Sequence, residues 1–380
     1  RFYWAYGGDL NGYNLPNDGN FCMDGIITPD QNYMPHTYIV KKVYQNILFE
    51  AKDLSKGVIS VINDFKFKDL TKNSHTYKWV LLRNGEVVHE GDFNVEAPAN
   101  TRKDIKLNLP ALKAENGVEY YLQLFAYDKQ GNEFIEPGFE VAREEFAFAD
   151  NNYFVSKKQE GSLEISIKDE MATITSGNTE FIFSLKDGRA LISLKADGRN
   201  LFRELPRLNF WRAPVDNDFG SREHYNLRLW DAAGHNIIYT YRGKEESDLG
   251  ISFAYRAKLR GVEAFVDILY TVHNDGSLTT DLHYQAQSDE LPEMMRFGML
   301  MVLPKQYNHF NWYGRGPREN YIDRNADTFM GIWEGLVEEQ AYPYYRPQET
   351  GNKTAVRWLT LTNENGRGIR IEGAQPLSVS

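Results

Sequence analysis

One stretch of the chain combines residue types that could do chemistry at close spacing: Asn209-Phe-Trp-Arg-Ala-Pro-Val-Asp-Asn-Asp-Phe-Gly220. It sets Arg212, Asp216, Asn217 and Asp218 between aromatic side chains and ends on Gly220. Pro214 biases Ala213 away from helical backbone, and Asp and Asn side chains bond local backbone in turns. The stretch is therefore expected to be a loop. Taken alone, it reads first as a surface turn between strands and second as a presentation of polar groups beside aromatic surface, the way proteins hold sugars. A second candidate is Phe21 with Asp24, three residues apart in a glycine-rich loop, where a backbone carbonyl and a carboxylate could share a hard cation. Asp24 before Gly25 reads equally well as a turn residue.

Other chemistries leave no trace. Glycosidic cleavage needs two carboxylates, about 5 Å apart in retaining enzymes, but among 53 Asp and Glu residues a chance pair carries no information. Serine nucleophile elbows, His-Glu-x-x-His sites and P-loops are absent from the sequence. Gly314-Arg315-Gly316 begins like a dinucleotide fingerprint, yet Pro317 follows and no third glycine does. The eight histidines are scattered without ligand spacing.

Composition narrows the partners. A net charge of −10 argues against nucleic acid or an anionic membrane surface. No run approaches the roughly 18 apolar residues that span a bilayer. The single Cys22 makes neither an internal disulfide nor a cysteine metal site, and the compartment stays unknown. With 14% aromatic residues the chain is rich in strand-favouring side chains, some of which could stack on sugar rings. At 380 residues two or three domains are expected.

The elements that must position these residues follow from periodicity. Residues 1–34 are dense in Gly, Asn, Asp and Pro and read as tight loops. His36 to Leu48 repeats apolar residues every three to four positions and predicts a short helix. From Gly57 the period changes to strands: Val58–Ile62, Trp79–Leu82 and Val87-Val88 around the hairpin signal Asn84-Gly85, Ile105 to Leu109, and Tyr120–Tyr127. Roughly seven such strands predict an immunoglobulin-like sandwich over 35–150. From 151 to 380, Leu163–Ile167, Phe181–Leu185 and Ala264–Val272 continue the pattern, punctuated by Asp187-Gly188, Asp197-Gly198 and Asp275-Gly276. No strong amphipathic helix is expected to interrupt this larger β-sandwich.

Trp312-Tyr-Gly-Arg-Gly-Pro-Arg-Glu-Asn-Tyr-Ile-Asp-Arg324 resembles a signature in the last large domain of the long, LacZ-type bacterial β-galactosidases of glycoside hydrolase family 2. Phe210 to Gly220 resembles that family's mobile loop near the active site. Tyr342-Pro-Tyr-Tyr-Arg-Pro-Gln-Glu-Thr-Gly351 resembles its Pro-x-Glu-x-Gly stretch. Tyr6-Gly-Gly-Asp9, Asn17-Asp18 and Phe21-Cys-Met-Asp24-Gly25 resemble the end of its catalytic barrel. The matches keep their order along nearly the whole chain.

The resemblance implies a mainly β chain: the loop-rich tail of a TIM barrel (1–34), an immunoglobulin-like β-sandwich (35–150) and most of a large β-sandwich (151–380). Both ends read as cut from a longer protein. It implies hydrolysis of terminal β-D-galactosides, with both catalytic glutamates and the magnesium ligands upstream, so no catalytic residue is assigned here and the chain alone should be inactive. A late tryptophan that stacks on the substrate would fall beyond Ser380. Asn132-Glu133 and Asn363-Glu364 copy the acid/base dipeptide but sit in expected turns and receive no role. The family's sodium site maps to the carbonyl of Phe21 and to Asp24, where the family has asparagine; that departure leaves the identity of the ion open. Arg212, Asp216, Asn217, Asp218 and Gly220 map to the loop that closes toward galactose, with Gly220 as the hinge. The implied partners are a β-galactoside, the upstream barrel of the same chain and, at full length, further copies in a homo-oligomer. The alternative is a stand-alone carbohydrate-binding β-sandwich without catalysis.

Overall fold

The computed structural model describes residues 25–155 and 160–380, with Ala5, Asp9 and Pro16 as isolated positions before them. Apart from Asp9, the barrel-like motifs expected in 1–24, Phe21 and Asp24 among them, lie outside the described residues. The described chain is mainly β-strand, as the aromatic content and alternation predict.

A short helix α1 (Thr37–Val43) precedes the first strand. It is half the expected length: Ile47 and Leu48 belong instead to β1 (Ile47–Asp53). Here alternation outweighs helical spacing. Ile47 and Phe49 turn inward while β1 pairs with β2 (Val58–Asn63), Ile47 opposite Asn63. Strand pairing satisfies the backbone that a longer helix would have used.

β1 and β2 continue with β3 (His75–Arg83), β4 (Glu86–Phe93), β5 (Thr101–Lys106), β6 (Tyr120–Asp128) and β7 (Glu140–Ala147). They form two antiparallel sheets, β1-β2-β5 and β4-β3-β6-β7, the seven-strand sandwich expected. Asn84 (φ 51°) and Gly85 (φ 84°) make the tight β3–β4 turn, both with the positive φ a type I′ hairpin requires.

Burial along β3 and β6 explains their nearly unbroken apolar sequence. Tyr77, Trp79, Leu81, Leu122, Leu124 and Ala126 face the sandwich core. The alternate residues Val80, Leu82, Tyr121 and Phe125 face outward, yet are buried against Tyr313, Phe329 and Met330 of the next unit. A sheet covered on both faces needs apolar residues at both parities.

The second unit carries the five-stranded sheet β12-β11-β10-β9-β8 and the four-stranded sheet β14-β15-β16-β17. In the first, β8 (Glu164–Lys168), β9 (Met171–Ser176), β10 (Thr179–Ser184), β11 (Leu191–Ala196) and β12 (Arg199–Asn200) form a meander. In the second, β14 (Ile237–Ser247), β15 (Gly250–Leu259), β16 (Ala264–His273) and β17 (Leu278–Ala286) do the same. Phe183 of β10 stacks on Phe253 of β15 with centroids 4.5 Å apart, and the Tyr255 hydroxyl donates to the Ser184 carbonyl at 2.6 Å. β13 (Glu204–Asn209) pairs with β18 (Gly298–Val302). The last sheet is β20-β19-β21-β22, from β19 (His309–Gly316), β20 (Phe329–Leu336), β21 (Lys353–Thr362) and β22 (Gly368–Val379).

Three short helices do interrupt this unit, between β13 and β14: α2 (Asp216–Ser221), α3 (Glu223–Asn226) and α4 (Leu229–His235). Each is too short to show an amphipathic period. α4 nonetheless turns Trp230 and Ala233, three positions apart, into the same core as Phe183 and Phe253.

Candidate functional site

The stretch 209–220 is only partly the loop its sequence predicts. Phe210 is fully buried, stacked near Trp230 and Phe297, and its carbonyl accepts from Arg296 N–H at 3.3 Å. This anchors the entry. Residues 211–215 are extended or irregular, and the chain then winds into α2. The helix forms because Asp218, its third residue, accepts the Val215 N–H at 2.7 Å. Asp216 and Asp218 also place negative charge in the first turn, where the helix dipole favours it. Arg222, with φ 65°, breaks the helix and turns the chain into α3. Gly220 therefore sits inside α2, where an added Cβ would meet nothing within 4 Å.

Arg212 folds back on Asp218, Nη1 to Oδ2 2.5 Å, and its Nε lies 3.5 Å from Glu349. Asp216 is bound by the Arg346 guanidinium, and its N–H donates to the Pro347 carbonyl at 2.8 Å. Hydrogen bonding to Arg346 holds the Asp216 carboxyl below its usual range, and Arg212 does the same for Asp218. Asn217 is exposed and contributes its carbonyl, which accepts from Ser221 Oγ at 3.0 Å. The loop is thus tied to a second one, the strap 342–351 that enters β21.

The strap is fixed in turn by the loop that leaves β19. Glu319 is almost wholly buried, its side chain 3% exposed. It accepts from Arg324 Nη2 (2.7 Å), Thr350 Oγ1 (3.1 Å), Gly351 N–H (2.9 Å) and the Tyr344 hydroxyl. Burial, and then the hydrogen bond to Glu319, push the Tyr344 hydroxyl up, so it remains a donor. Next to it, Asn320 and Asn352 exchange bonds: Asn320 N–H to the Asn352 carbonyl at 2.8 Å, and Asn352 Nδ2 to the Asn320 carbonyl at 2.7 Å.

Between α2, the strap and the N-terminal segment opens a cleft of about 490 Å³. Its walls set tyrosines (Tyr321, Tyr344, Tyr345) beside Asp216, Asp323 and Gln348. Aromatic faces next to convergent donors and acceptors suit a neutral polyhydroxylated ligand.

The fold therefore brings Arg212, Asp216 and Asp218 together at one rim, leaves Asn217 at the surface and sets Gly220, also exposed, within a helix turn. Among the described residues no group of three or more His, Cys, Asp or Glu is placed to hold a metal ion. Asn132 and Asn363 each accept local backbone N–H groups in turns, as expected of the two accessory dipeptides. Sequence reasoning missed Glu319, Arg324, Tyr344, Arg346 and Glu349 as site residues, although two quoted motifs contain them. Their one legible signal is charge: an acidic residue in one loop and arginine in the other.

The family model described as "Beta galactosidase small chain" matches residues 175–380, and that described as "Beta-galactosidase, domain 4" matches residues 59–149. A protein of Priestia megaterium named beta-galactosidase is 35% identical over 98% of this chain and 36% of its own length. One of Lactobacillus delbrueckii subsp. bulgaricus with the same name is 32% identical over 95% of this chain and 35% of its own. One of Halalkalibacterium halodurans, again so named, is 30% identical over 97% and 36%. The chain spans about a third of the length of these relatives.

Proposed function

This chain belongs to the beta galactosidase small chain family, and on that premise we propose that it is the accessory, C-terminal portion of a retaining β-galactosidase acting on terminal β-D-galactosides such as lactose. Its role is to shape and close the sugar pocket of an upstream barrel. The catalytic carboxylates would come from that barrel, one protonating the leaving oxygen and the other forming a galactosyl-enzyme intermediate. In this reading the chain supplies the rim, with Asp216 lining the cleft and Arg212, Asn217 and Asp218 beside it, and Gly220, in the last turn of α2, is the hinge about which the rim moves. A cation at Phe21 and Asp24, sodium by the resemblance although Asp24 leaves its identity open, and magnesium upstream belong to the proposal as ions of the whole enzyme, itself proposed to be a homo-oligomer.

The observation that carries this reading is the convergence of α2 and the strap on one tyrosine-lined cleft beside the N-terminal segment. The test is hydrolysis of a chromogenic β-galactoside by the purified chain, alone and mixed with the upstream portion. Turnover is expected only in the mixture. Turnover by the chain alone would overturn the accessory role. Silence in both tubes, with galactose still bound by the chain, would favour a carbohydrate-binding protein without catalysis.

A further inference from the structure

The residue that determines where the α2 rim sits is not on the rim. We propose that Glu319 is a positioning residue for the Arg212–Ser221 segment, acting through the strap 342–351. This deepens the proposed function, because it names what sets the pose of the sugar-facing rim.

The argument rests on a chain of contacts. Glu319 takes four hydrogen bonds, and three of them come from the strap: the Tyr344 hydroxyl, Thr350 Oγ1 and Gly351 N–H. The strap then meets the rim at three points: Arg346 with Asp216, the Pro347 carbonyl with Asp216 N–H, and Glu349 with Arg212. Arg296 adds a brace, since its guanidinium also binds Glu349 while its N–H donates to Phe210 at the loop's entry. The rim's entry at Arg212 and the first residue of α2, Asp216, are thus referenced to the strap, and the strap's beginning and end are referenced to one carboxylate.

The chemistry at Glu319 is unforgiving. Each of its four partners is a donor, so both oxygens must accept. In Glu319→Gln, one orientation of the amide turns its N–H groups toward Arg324 and the Tyr344 hydroxyl, the other toward the Thr350 hydroxyl and the Gly351 N–H; the hydroxyls can rotate to accept, but Arg324 or the Gly351 N–H is then left facing a donor. The shape is kept while the bond from Arg324 or from the Gly351 N–H gives way to a donor facing a donor. Thr350→Val is milder, removing one donor from the strap side.

Hydrogen exchange on this chain tests the link. Glu319→Gln should raise exchange roughly tenfold or more in peptides from 342–351 and from 210–226 together, while β6 and β15 keep their protection. In a chain already carrying Arg346→Met and Glu349→Gln, Glu319→Gln should add nothing at 210–226. A merely structural residue would give additive losses, and that result would overturn the proposal. So would a strap that loosens while the rim does not. If Glu319→Gln unfolds the chain, β6 and β15 lose protection as well, and Thr350→Val is then judged by the same two criteria. In the full-length enzyme, Glu319→Gln should raise KM for the galactoside roughly tenfold with kcat nearly unchanged. Only this kinetic readout depends on the proposed function, so a positive exchange result with unchanged KM would reject that reading and leave the positioning role standing.

Discussion

Arg357 on β21 grips Glu119 at the entry to β6 with two bonds across the junction of the two units, Nε to Oε1 at 2.7 Å and Nη2 to Oε2 at 2.8 Å. Both side chains are buried, and the Tyr313 hydroxyl adds a third bond to Oε1 at 2.6 Å. Around them Val80, Leu82, Tyr121 and Phe125 pack on Tyr313, Phe329 and Met330. The junction is therefore built like a core with the Arg357–Glu119 pair inside it and the Arg315–Glu145 pair, 3.8 Å apart, at its edge. Apolar contact supplies the attraction, and the pair's two bonds hold β21 against the entry to β6.

Removing one partner should show this. Arg357→Met leaves Glu119 buried without its cation and should destabilise the chain by about 3–5 kcal/mol. Arg357→Met combined with Glu119→Gln should recover part of that loss, because no uncompensated charge remains. Urea unfolding measures both. A loss below about 1 kcal/mol in the single variant would mean that water reaches Glu119.

Gly85 tests the same junction from the hairpin side. A Cβ there would stand 2.6 Å from the Tyr313 ring, on backbone with φ +84°. Gly198, with φ +71°, has open space around it. Gly198→Ala should cost about 1 kcal/mol, the backbone contribution alone, whereas Gly85→Ala should cost about 1–3 kcal/mol more from overpacking. Equal midpoints would show that the hairpin does not press on β19.

These contacts mark what the sequence could and could not tell. Strands such as Tyr120–Asp128, and the turn at Asn84-Gly85, were legible because alternation and positive-φ residues are local signals. The boundary at Ile47 was not, since its strand character depends on pairing with Asn63. The helix α2 was hidden because its cap is Asp218, a residue equally at home in a turn. The candidate site was half legible: Arg212, Asp216 and Asp218 lie in one run, but their partners Arg346 and Glu349 lie far along the chain. Nothing in local spacing pairs Asp216 with Arg346.

His75 gives the fold a sensitivity to acid. It lies at the start of β3, 2% exposed, near Phe65 and Tyr77. Burial, and then the nearby Lys68 charge, push its imidazole down to about 4 from 6.5, with Asp128 opposing. The folded value is below the unfolded one, so the fold holds the neutral ring. Above pH 6.5 neither state is protonated and His75 has no effect. As the pH falls from 6.5 to 4 the unfolded chain takes up a proton that the fold refuses, and stability declines. His75→Gln should remove this part of the decline. Parallel stability curves for the two proteins over that interval would refute it.

Lys353 should respond in the opposite pH range. Its side chain is 1% exposed, its Nζ donates to the Gly351 carbonyl at 3.1 Å, and it lies 5.1 Å from the Trp312 ring centre. Burial lowers its ammonium to about 8 from 10.5, with the Glu319 charge opposing. Below pH 8 the fold must keep a poorly solvated charge that the unfolded chain leaves in water. That penalty lifts as the pH rises from 8 to 10.5, where the folded lysine is neutral and the unfolded one still charged. Lys353→Met keeps a flexible apolar stem against Trp312 and drops the charge. The variant should therefore melt higher than the parent near neutral pH, with the margin shrinking steadily toward pH 10.5. A variant that melts lower near neutral pH would mean that the Gly351 carbonyl and the Trp312 face outweigh desolvation, and that the buried ammonium holds the strap's exit in place.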